Sequence, residues 1–252
     1  MAGIRRGYLR LEHGLVHLRY GGRGAPLIVL HDAGQSSATA ERHNLLAQLG
    51  DRFRVYAPDL PGHGRTDPWP VPPTLADLAD FVRAVAHEMG DPSVRVLGIG
   101  LGALIGAQLA GSAPHAVEAL VCAFPPAFPR EQWSIDSDGE RLRRNFAHWH
   151  ARLADQPNGL AEATSLTVEE AEAGAHGAQA AELSRAADRR RLFGKLERST
   201  LLMATLGDPQ FDLLNDLADG NPRLELALAP PGPLFGAFEP ATFRATVEDV
   251  LW

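Results

Sequence analysis

The segment "VRVLGIGLGALIGAQLA", residues 94–110, gives the clearest indication of chemistry in this sequence. A strand-like apolar run turns through Gly98, Gly100 and Gly102 into a helix rich in alanine and leucine. Such a turn can hold a pyrophosphate at the helix N-terminus, or it can present a nucleophilic side chain at its tip. The residue at the tip is Gly100, which has no side chain and therefore offers no nucleophile.

The pyrophosphate interpretation depends on Gly98, Gly100 and Ala103, which satisfy the dinucleotide pattern Gly-x-Gly-x-x-Ala. The acidic residue expected about 20 positions later would be Glu118, but it precedes a strand-like run instead of ending it, where a ribose would lie. Two strand–helix units also come before this turn, whereas the fingerprint normally opens the fold. We therefore expect no dinucleotide and no other cofactor.

The elements around this turn alternate between strand and helix. A hairpin is predicted around His13 and Gly14, where apolar and polar residues alternate. Short apolar runs, typical of strands buried on both faces, lie at 26–30, 54–58, 94–98, 119–124, 200–206 and 223–229. Helical patterns lie at 37–49, 74–90, 101–113, 210–219 and 239–252. The alternation predicts an α/β fold with a mostly parallel central sheet and helices on both faces.

One long interval interrupts this alternation. Residues 125–199 contain no convincing strand and are rich in alanine, glutamate and arginine. We expect them to form a helical lid over a site at the carboxyl ends of the strands, with 1–124 and 200–252 as the core. A packed helical insertion with no role in binding is the alternative.

Aromatic and histidine side chains near this insertion are candidates for the wall of a substrate pocket. They are Phe124, Trp133, His148 and Trp149. Because His148 and His150 would point to different sides of a helix, we expect no metal site there.

Composition excludes several other classes of protein. Hydrophobic residues make up 45% of the chain and charged residues 22%, the balance of an ordinary globular protein. The net charge of −7 and the lack of a long basic run argue against a nucleic-acid partner.

Cys122 is the sole cysteine, which excludes an internal disulfide and a cysteine-based zinc site. No run approaches the roughly 20 apolar residues of a membrane span, and no secretory pattern opens the chain, so we expect a cytoplasmic protein.

Three motifs in order resemble the α/β-hydrolase fold superfamily, in its lipase, esterase and C–C hydrolase branch. They are "LIVLHDAGQSS" at 27–37, "VYAPDLPGHGRT" at 55–66 and the turn at 94–110. In that family the first motif carries an oxyanion-hole loop, the second is a structural turn and the third is the nucleophile elbow. The resemblance covers nearly all of the chain. It implies that the backbone N–H groups of Ala33 and Leu101 form the oxyanion hole.

The same resemblance implies a degenerate catalytic triad. The nucleophile position falls on Gly100, and the histidine position, within "PPGPLFGAFEP", falls on Pro233. The acid position falls on Asp208, or on Gln210 by a different spacing. Acyl transfer needs a hydroxyl, an imidazole and a carboxylate, so the covalent route would be closed.

Two other residues could take part in chemistry here. Asp32 stands where the family usually has glycine; its carboxylate could act as a general base or hydrogen-bond its own turn. His31 could orient the loop or act as an acid or base. Asp32, His31 and Asp208 are therefore the candidate catalytic residues.

These residues leave three hypotheses open. The first is a cofactor-independent enzyme doing non-covalent chemistry, such as cyclisation, decarboxylation, elimination or isomerisation, on a small apolar carbonyl compound. The second is a pseudo-hydrolase that binds a ligand without turnover. The third is a hydrolase with a displaced nucleophile at Ser36, Ser37 or Cys122, none of which follows the sharp turn. The sequence leaves the oligomeric state open.

Overall fold

The computed structural model describes residues 3–123, 139–156, 158–205, 211–229, 246–247 and 250–251. Within these residues, eight strands form one sheet in the order β1-β2-β4-β3-β5-β6-β7-β8. The strands are β1 (Arg5–Leu11), β2 (Gly14–Gly22), β3 (Ala25–Leu30), β4 (Phe53–Pro58), β5 (Val94–Ile99), β6 (Val117–Ala123), β7 (Thr200–Thr205) and β8 (Leu224–Ala229). β2 is antiparallel to β1 and β4, and all other neighbouring pairs are parallel.

The helices of the described residues follow the predicted alternation closely. They are α1 (Ser37–Arg42), α2 (Leu45–Leu49), α3 (Leu75–Glu88), α4 (Leu101–Ser112), α5 (Glu140–Leu153), α6 (Gly159–Ala186), α7 (Arg189–Phe193) and α8 (Phe211–Gly220), with a 3₁₀ turn at Pro114–Ala116. The prediction of one helix over 37–49 is wrong. Asn44 adopts a left-handed backbone with φ 57°, which ends α1 and starts α2 in a new direction.

The sheet is buried on both faces, which explains the continuous apolar runs of the sequence. In β3, Ile28 and Leu30 belong to one hydrophobic cluster, whereas Leu27 and Val29 belong to the other. The first cluster also takes side chains from α3, α4 and α8, and the second takes side chains from α2 and from the C-terminal Val247 and Leu251. Helices therefore cover both faces, and the predicted fold class is confirmed.

The pairing of β3 with β5 places two functional loops side by side. Leu30, the last residue of β3, pairs with Gly98 near the end of β5, so the segments after both strands meet at one edge. A Cβ on Gly102 would lie 2.6 Å from the carbonyl oxygen of Leu30, and one on Gly98 would lie 2.2 Å from the carbonyl oxygen of Gly102. These glycines are needed because α4 crosses so close to the sheet.

Of the helices between β6 and β7, α6 is tied to α1 by partly buried ion pairs. Glu169 of α6 accepts hydrogen bonds from Ser36 Oγ at 2.8 Å, from Thr39 Oγ1 at 3.2 Å, and from Arg42. Glu162 of the same helix bonds Arg42 and His43. The contacts link α6 to the segment that follows β3.

This link predicts an acid-sensitive contribution to stability. Burial opposes ionisation of Glu162, but the hydrogen bonds from His43 and Arg42 outweigh it and lower its pKa from 4.5 to about 2. A carboxyl whose pKa is depressed on folding stabilises the protein fully above its unfolded pKa. That stabilisation is lost as the pH falls from about 4.5 toward 2. We expect Glu162→Gln to flatten the fall of Tm over this range relative to the unaltered protein, whereas the exposed Glu172→Gln keeps the original slope. Equal slopes for all three proteins would contradict the assignment.

Candidate functional site

The turn between β5 and α4 has the strained geometry of an elbow. Gly100, at its tip, has φ 56° and ψ −119°, and α4 begins at the next residue. This conformation costs a residue with a side chain on the order of 1–3 kcal/mol, whereas glycine adopts it freely. The N–H of Gly100 donates to the carbonyl of Ala123 at 3.0 Å, which fixes the tip against the end of β6.

The carboxylate of Asp32 lies directly at this tip. Its Oδ1 atom accepts hydrogen bonds from the backbone N–H groups of Ala33 and Leu101, each at 2.8 Å. These are the two donors that the sequence assigned to an oxyanion hole. The N-terminus of α4 adds positive partial charge at the same point. The chain's own carboxylate oxygen therefore occupies the predicted oxyanion hole.

Asp32 and Gly100 depend on each other sterically. A Cβ on Gly100 would lie 2.1 Å from both Cγ and Oδ1 of Asp32. The carboxylate thus fills the space that the side chain of an elbow nucleophile would need. A serine at position 100 would require both the strained φ and a different position for Asp32.

His31 supports the loop that carries Asp32. Its Nε2 accepts the N–H of Leu60 at 2.9 Å, so the ring proton lies on Nδ1 and is donated to the carbonyl oxygen of Asp32 at 2.8 Å. Both ring nitrogens are therefore engaged by the main chain. Of the two roles that the sequence left open for His31, this geometry supports orientation of the loop and not acid/base catalysis.

The candidates for a displaced nucleophile are engaged elsewhere. Ser36 Oγ donates to Glu169 at 2.8 Å, and Ser37 Oγ donates to Asp59 at 2.5 Å. Cys122 is fully buried in β6, and this burial raises the pKa of its thiol, which disfavours the reactive thiolate. The geometry supports none of the three as a nucleophile.

Asp59 is a buried carboxylate that sequence reasoning missed. It is 1% exposed and bonds His17 Nδ1 at 2.8 Å, the N–H of Ser37 at 2.7 Å and the N–H of Arg65 at 3.0 Å. Burial opposes its ionisation, but the hydrogen bonds from His17, Ser37 and Arg65 outweigh it and lower its pKa. Asp59 therefore holds the "DLPGHG" turn against β2 and α1, and its role is structural.

The other predicted site residues have different positions. Trp149 is buried against Leu153, Ala163 and Leu166, where it packs α5 on α6, and its assignment to a pocket wall stays a prediction. His148 is exposed on α5. Phe124, Trp133, Asp208, Gln210 and Pro233 lie outside the described residues.

The space beside the elbow is small in the part of the chain that the structure describes. A cavity of about 20 Å³ is bounded by Leu60, His63, Leu101 and His176. This is enough for about one water molecule. His63 donates Nδ1–H to the carbonyl of Pro61 at 3.0 Å, and burial lowers its pKa to about 3, so the ring is neutral.

The described residues show neither a metal-binding cluster nor a membrane-spanning helix. They contain no group of three or more His, Cys, Asp or Glu side chains placed to hold a metal ion. Within them, no helix combines the length and the apolar character needed to cross a bilayer.

The chain belongs to the α/β-hydrolase fold family. The model of that family matches residues 25–159, more than half of the chain. This segment holds the loop of Asp32, the "DLPGHG" turn and the elbow, so the family match covers the site described above.

Several relatives are hydrolases by name. Pimeloyl-[acyl-carrier protein] methyl ester esterase of Aeromonas hydrophila is 35% identical over 115 residues, which cover 44% of this chain and 43% of the relative. Lipase LipV of Mycobacterium tuberculosis is 31% identical over 128 residues, which cover 51% of this chain and 45% of the relative. The aligned segments thus span less than half the length of these curated relatives.

Solved structures match over the whole length. A hydrolase from Pseudomonas aeruginosa PA01 has a TM-score of 0.77 at 25% identity, and the match covers 97% of each chain. An esterase from Thermogutta terrifontis has a TM-score of 0.72 at 18% identity, covering 98% of this chain and 100% of the other. At that lower identity the likeness shows the fold alone.

The contact between Gly100 and Asp32 predicts non-additive stability. We expect Gly100→Ser to lower the free energy of unfolding by about 2–5 kcal/mol, because it adds backbone strain and displaces the carboxylate. In the double variant Asp32→Gly, Gly100→Ser, the clash is absent, so its loss should be smaller than the sum of the two single losses. Urea denaturation of all three variants measures this coupling. Strictly additive losses would show that the two side-chain positions are independent.

Proposed function

We propose that this chain is an enzyme of the α/β-hydrolase superfamily that catalyses non-covalent proton-transfer chemistry on a small apolar carbonyl compound, with the Asp32 carboxylate as general base. One observation carries the proposal. At the tip of the turn where the family presents its nucleophile, Oδ1 of Asp32 accepts the N–H groups of both Ala33 and Leu101.

The hydrogen bonds of Asp32 suit it to this role. Two backbone donors fix Oδ1, so the orientation of the whole carboxylate is set before a substrate binds. The group is 8% exposed, which keeps it from competing bulk water. In this mechanism Oδ2 of Asp32 accepts the proton that the substrate loses. A positioned base contributes about 10²- to 10⁴-fold to the rate of such a step.

Reactions that begin with loss of a proton next to a carbonyl fit this arrangement. Cyclisation, elimination and isomerisation belong to this class, and decarboxylation also proceeds without an enzyme nucleophile. In this proposal the lid includes the helices α5, α6 and α7, which lie between β6 and β7. Their bonds from Glu169 and Glu162 to α1 hold them beside the loop of Asp32.

The names of the relatives favour hydrolysis, but the elbow of this chain lacks the groups that hydrolysis by the family's route requires. Acyl transfer through the elbow needs a hydroxyl at position 100 and an empty oxyanion hole. Gly100 supplies no hydroxyl, and Asp32 fills the hole. The filled hole also favours a second candidate function, a pseudo-hydrolase that binds a ligand without turnover.

Proton exchange separates the two candidates without knowledge of the product. We expect the protein to accelerate hydrogen–deuterium exchange next to the carbonyl of at least one member of a panel of small ketones and β-keto acids in D₂O, followed by NMR. Asp32→Asn should slow the exchange by about 10²-fold or more, because it removes the base and keeps the shape. Asp80→Asn, at an exposed carboxylate on α3, is the matched control and should keep the full rate. Equal exchange by the unaltered protein and Asp32→Asn would overturn the assignment of the base, whereas ligand binding without exchange would support the pseudo-hydrolase.

A serine-directed fluorophosphonate tests the absence of an elbow nucleophile. We expect no mass increase of the intact protein, since Gly100 has no oxygen and both Ser36 and Ser37 donate to buried carboxylates. An esterase with an intact serine, treated in parallel, confirms that the probe is active. A stoichiometric adduct mapped to Ser36 or Ser37 would restore the displaced-nucleophile hypothesis.

A further inference from the structure

A second concave surface lies at the end of the sheet opposite the elbow. Three arginines, Arg5, Arg23 and Arg54, line an open cleft of about 690 Å³ together with Tyr20 and Tyr56. Its volume is within the range of small-molecule sites, roughly 300–1,000 Å³. The cleft lies near the start of β4, whereas Asp32 and Gly100 follow the carboxyl ends of β3 and β5.

Strand register explains why these side chains gather. Arg5 of β1 pairs with Tyr20 of β2, and Tyr20 pairs with Tyr56 of β4, so the three form one row across the sheet. Residues paired in this way present their side chains on the same face. Arg54 is two positions from Tyr56 along β4 and therefore lies on that face as well.

Gly22 leaves space in the cleft beside Arg54. Gly22, which pairs with Arg54, has φ +79°, and a Cβ there would lie 2.2 Å from the carbonyl oxygen of Phe53. The position beside Arg54 therefore carries no side chain that could fill the space.

The arginines of the cleft are only partly compensated. Arg54 is paired with Asp91, which also accepts the hydroxyl of Tyr56 at 3.0 Å. Burial and Asp91 raise the pKa of Tyr56 to about 12, so its hydroxyl stays protonated. Asp51 also lies on the wall. Within the described residues, the guanidinium groups of Arg5 and Arg23 have no carboxylate partner.

On the opposite face of the β1–β2 hairpin, two neighbouring arginines do have a carboxylate partner. Arg6 and Arg19 are also paired across β1 and β2, and both donate to Glu41 at 2.8 Å. The fold thus supplies a carboxylate where Arg6 and Arg19 meet, whereas Arg5 and Arg23 at the cleft have none among the described residues. In a chain with a net charge of −7, two uncompensated guanidinium groups around one cleft are a local positive site.

We propose that this cleft binds the phosphate group of a small molecule, independently of the chemistry at Asp32. Guanidinium groups bind phosphate oxygens through paired N–H donors, so Arg5 and Arg23 supply the geometry as well as the charge. Tyr20 and Tyr56 also line the cleft and border the remaining space, where the rest of the ligand lies.

Calorimetric titration with pyrophosphate, ADP and adenosine at low salt tests this site. We expect pyrophosphate and ADP to bind and adenosine not to bind. The double variant Arg5→Gln, Arg23→Gln should weaken binding about 10-fold or more, because hydrogen bonds from charged donors are lost. Asp51→Asn should strengthen it by removing a like charge. Arg10→Gln, at an exposed arginine of the same strand outside the cleft, is the matched control.

The results show which kind of phosphate compound binds and whether Arg5 and Arg23 form the site. Tighter binding of ADP than of pyrophosphate indicates a nucleotide-like ligand, and equal binding indicates that the phosphates alone are recognised. Because Arg5 and Arg23 are exposed, the double variant should keep the Tm of the unaltered protein. Absence of binding by both phosphate compounds, or binding that survives the double variant, would overturn the proposal.

Discussion

Two backbone N–H groups, those of Ala33 and Leu101, converge on one oxygen atom of Asp32, and the rest of the site depends on this contact. A buried carboxylate is expensive unless charged or strongly polar donors satisfy it. Here the donors come from the loop after β3 and from the first turn of α4. They meet because β3 and β5 are paired and because Gly102 lets α4 approach the end of β3.

The same contact explains why Gly100 has no side chain. The elbow conformation already disfavours any residue with a Cβ, and the carboxylate occupies the volume that a Cβ would enter. A serine at 100 and a carboxylate at 32 therefore cannot coexist in this geometry. The absence of a hydroxyl at position 100 and the presence of a carboxylate at position 32 are therefore coupled, and a proposed function has to account for both.

The central sheet could be predicted from the sequence, because strands covered on both faces leave continuous apolar runs such as "PLIVL". The break between α1 and α2 could not be predicted from the sequence. The apolar pattern of 37–49 does not show that Asn44 adopts a left-handed backbone. The motifs also placed Asp32 near the elbow.

The partners of the site residues were beyond the sequence. Asp32 bonds Leu101 across 69 positions, and Ser36 bonds Glu169 across 133. Neither contact leaves a periodic pattern, since each joins single side chains of separate elements. The tautomer of His31 likewise depends on Leu60, which the chain brings near only when β3 and β4 pair.

The hydrogen bonds of Asp32 bear on whether its carboxylate stays in place during function or is displaced by a ligand. If its carboxylate left the hole, the N–H groups of Ala33 and Leu101 would lose their partner in a site where Leu101 is fully buried. Each unsatisfied buried group costs about 1–3 kcal/mol. A ligand that displaced Asp32 would have to replace these hydrogen bonds, and the freed carboxylate would need new donors elsewhere. A ligand that came to Oδ2 would incur neither cost, and this difference favours a fixed carboxylate that acts where it stands.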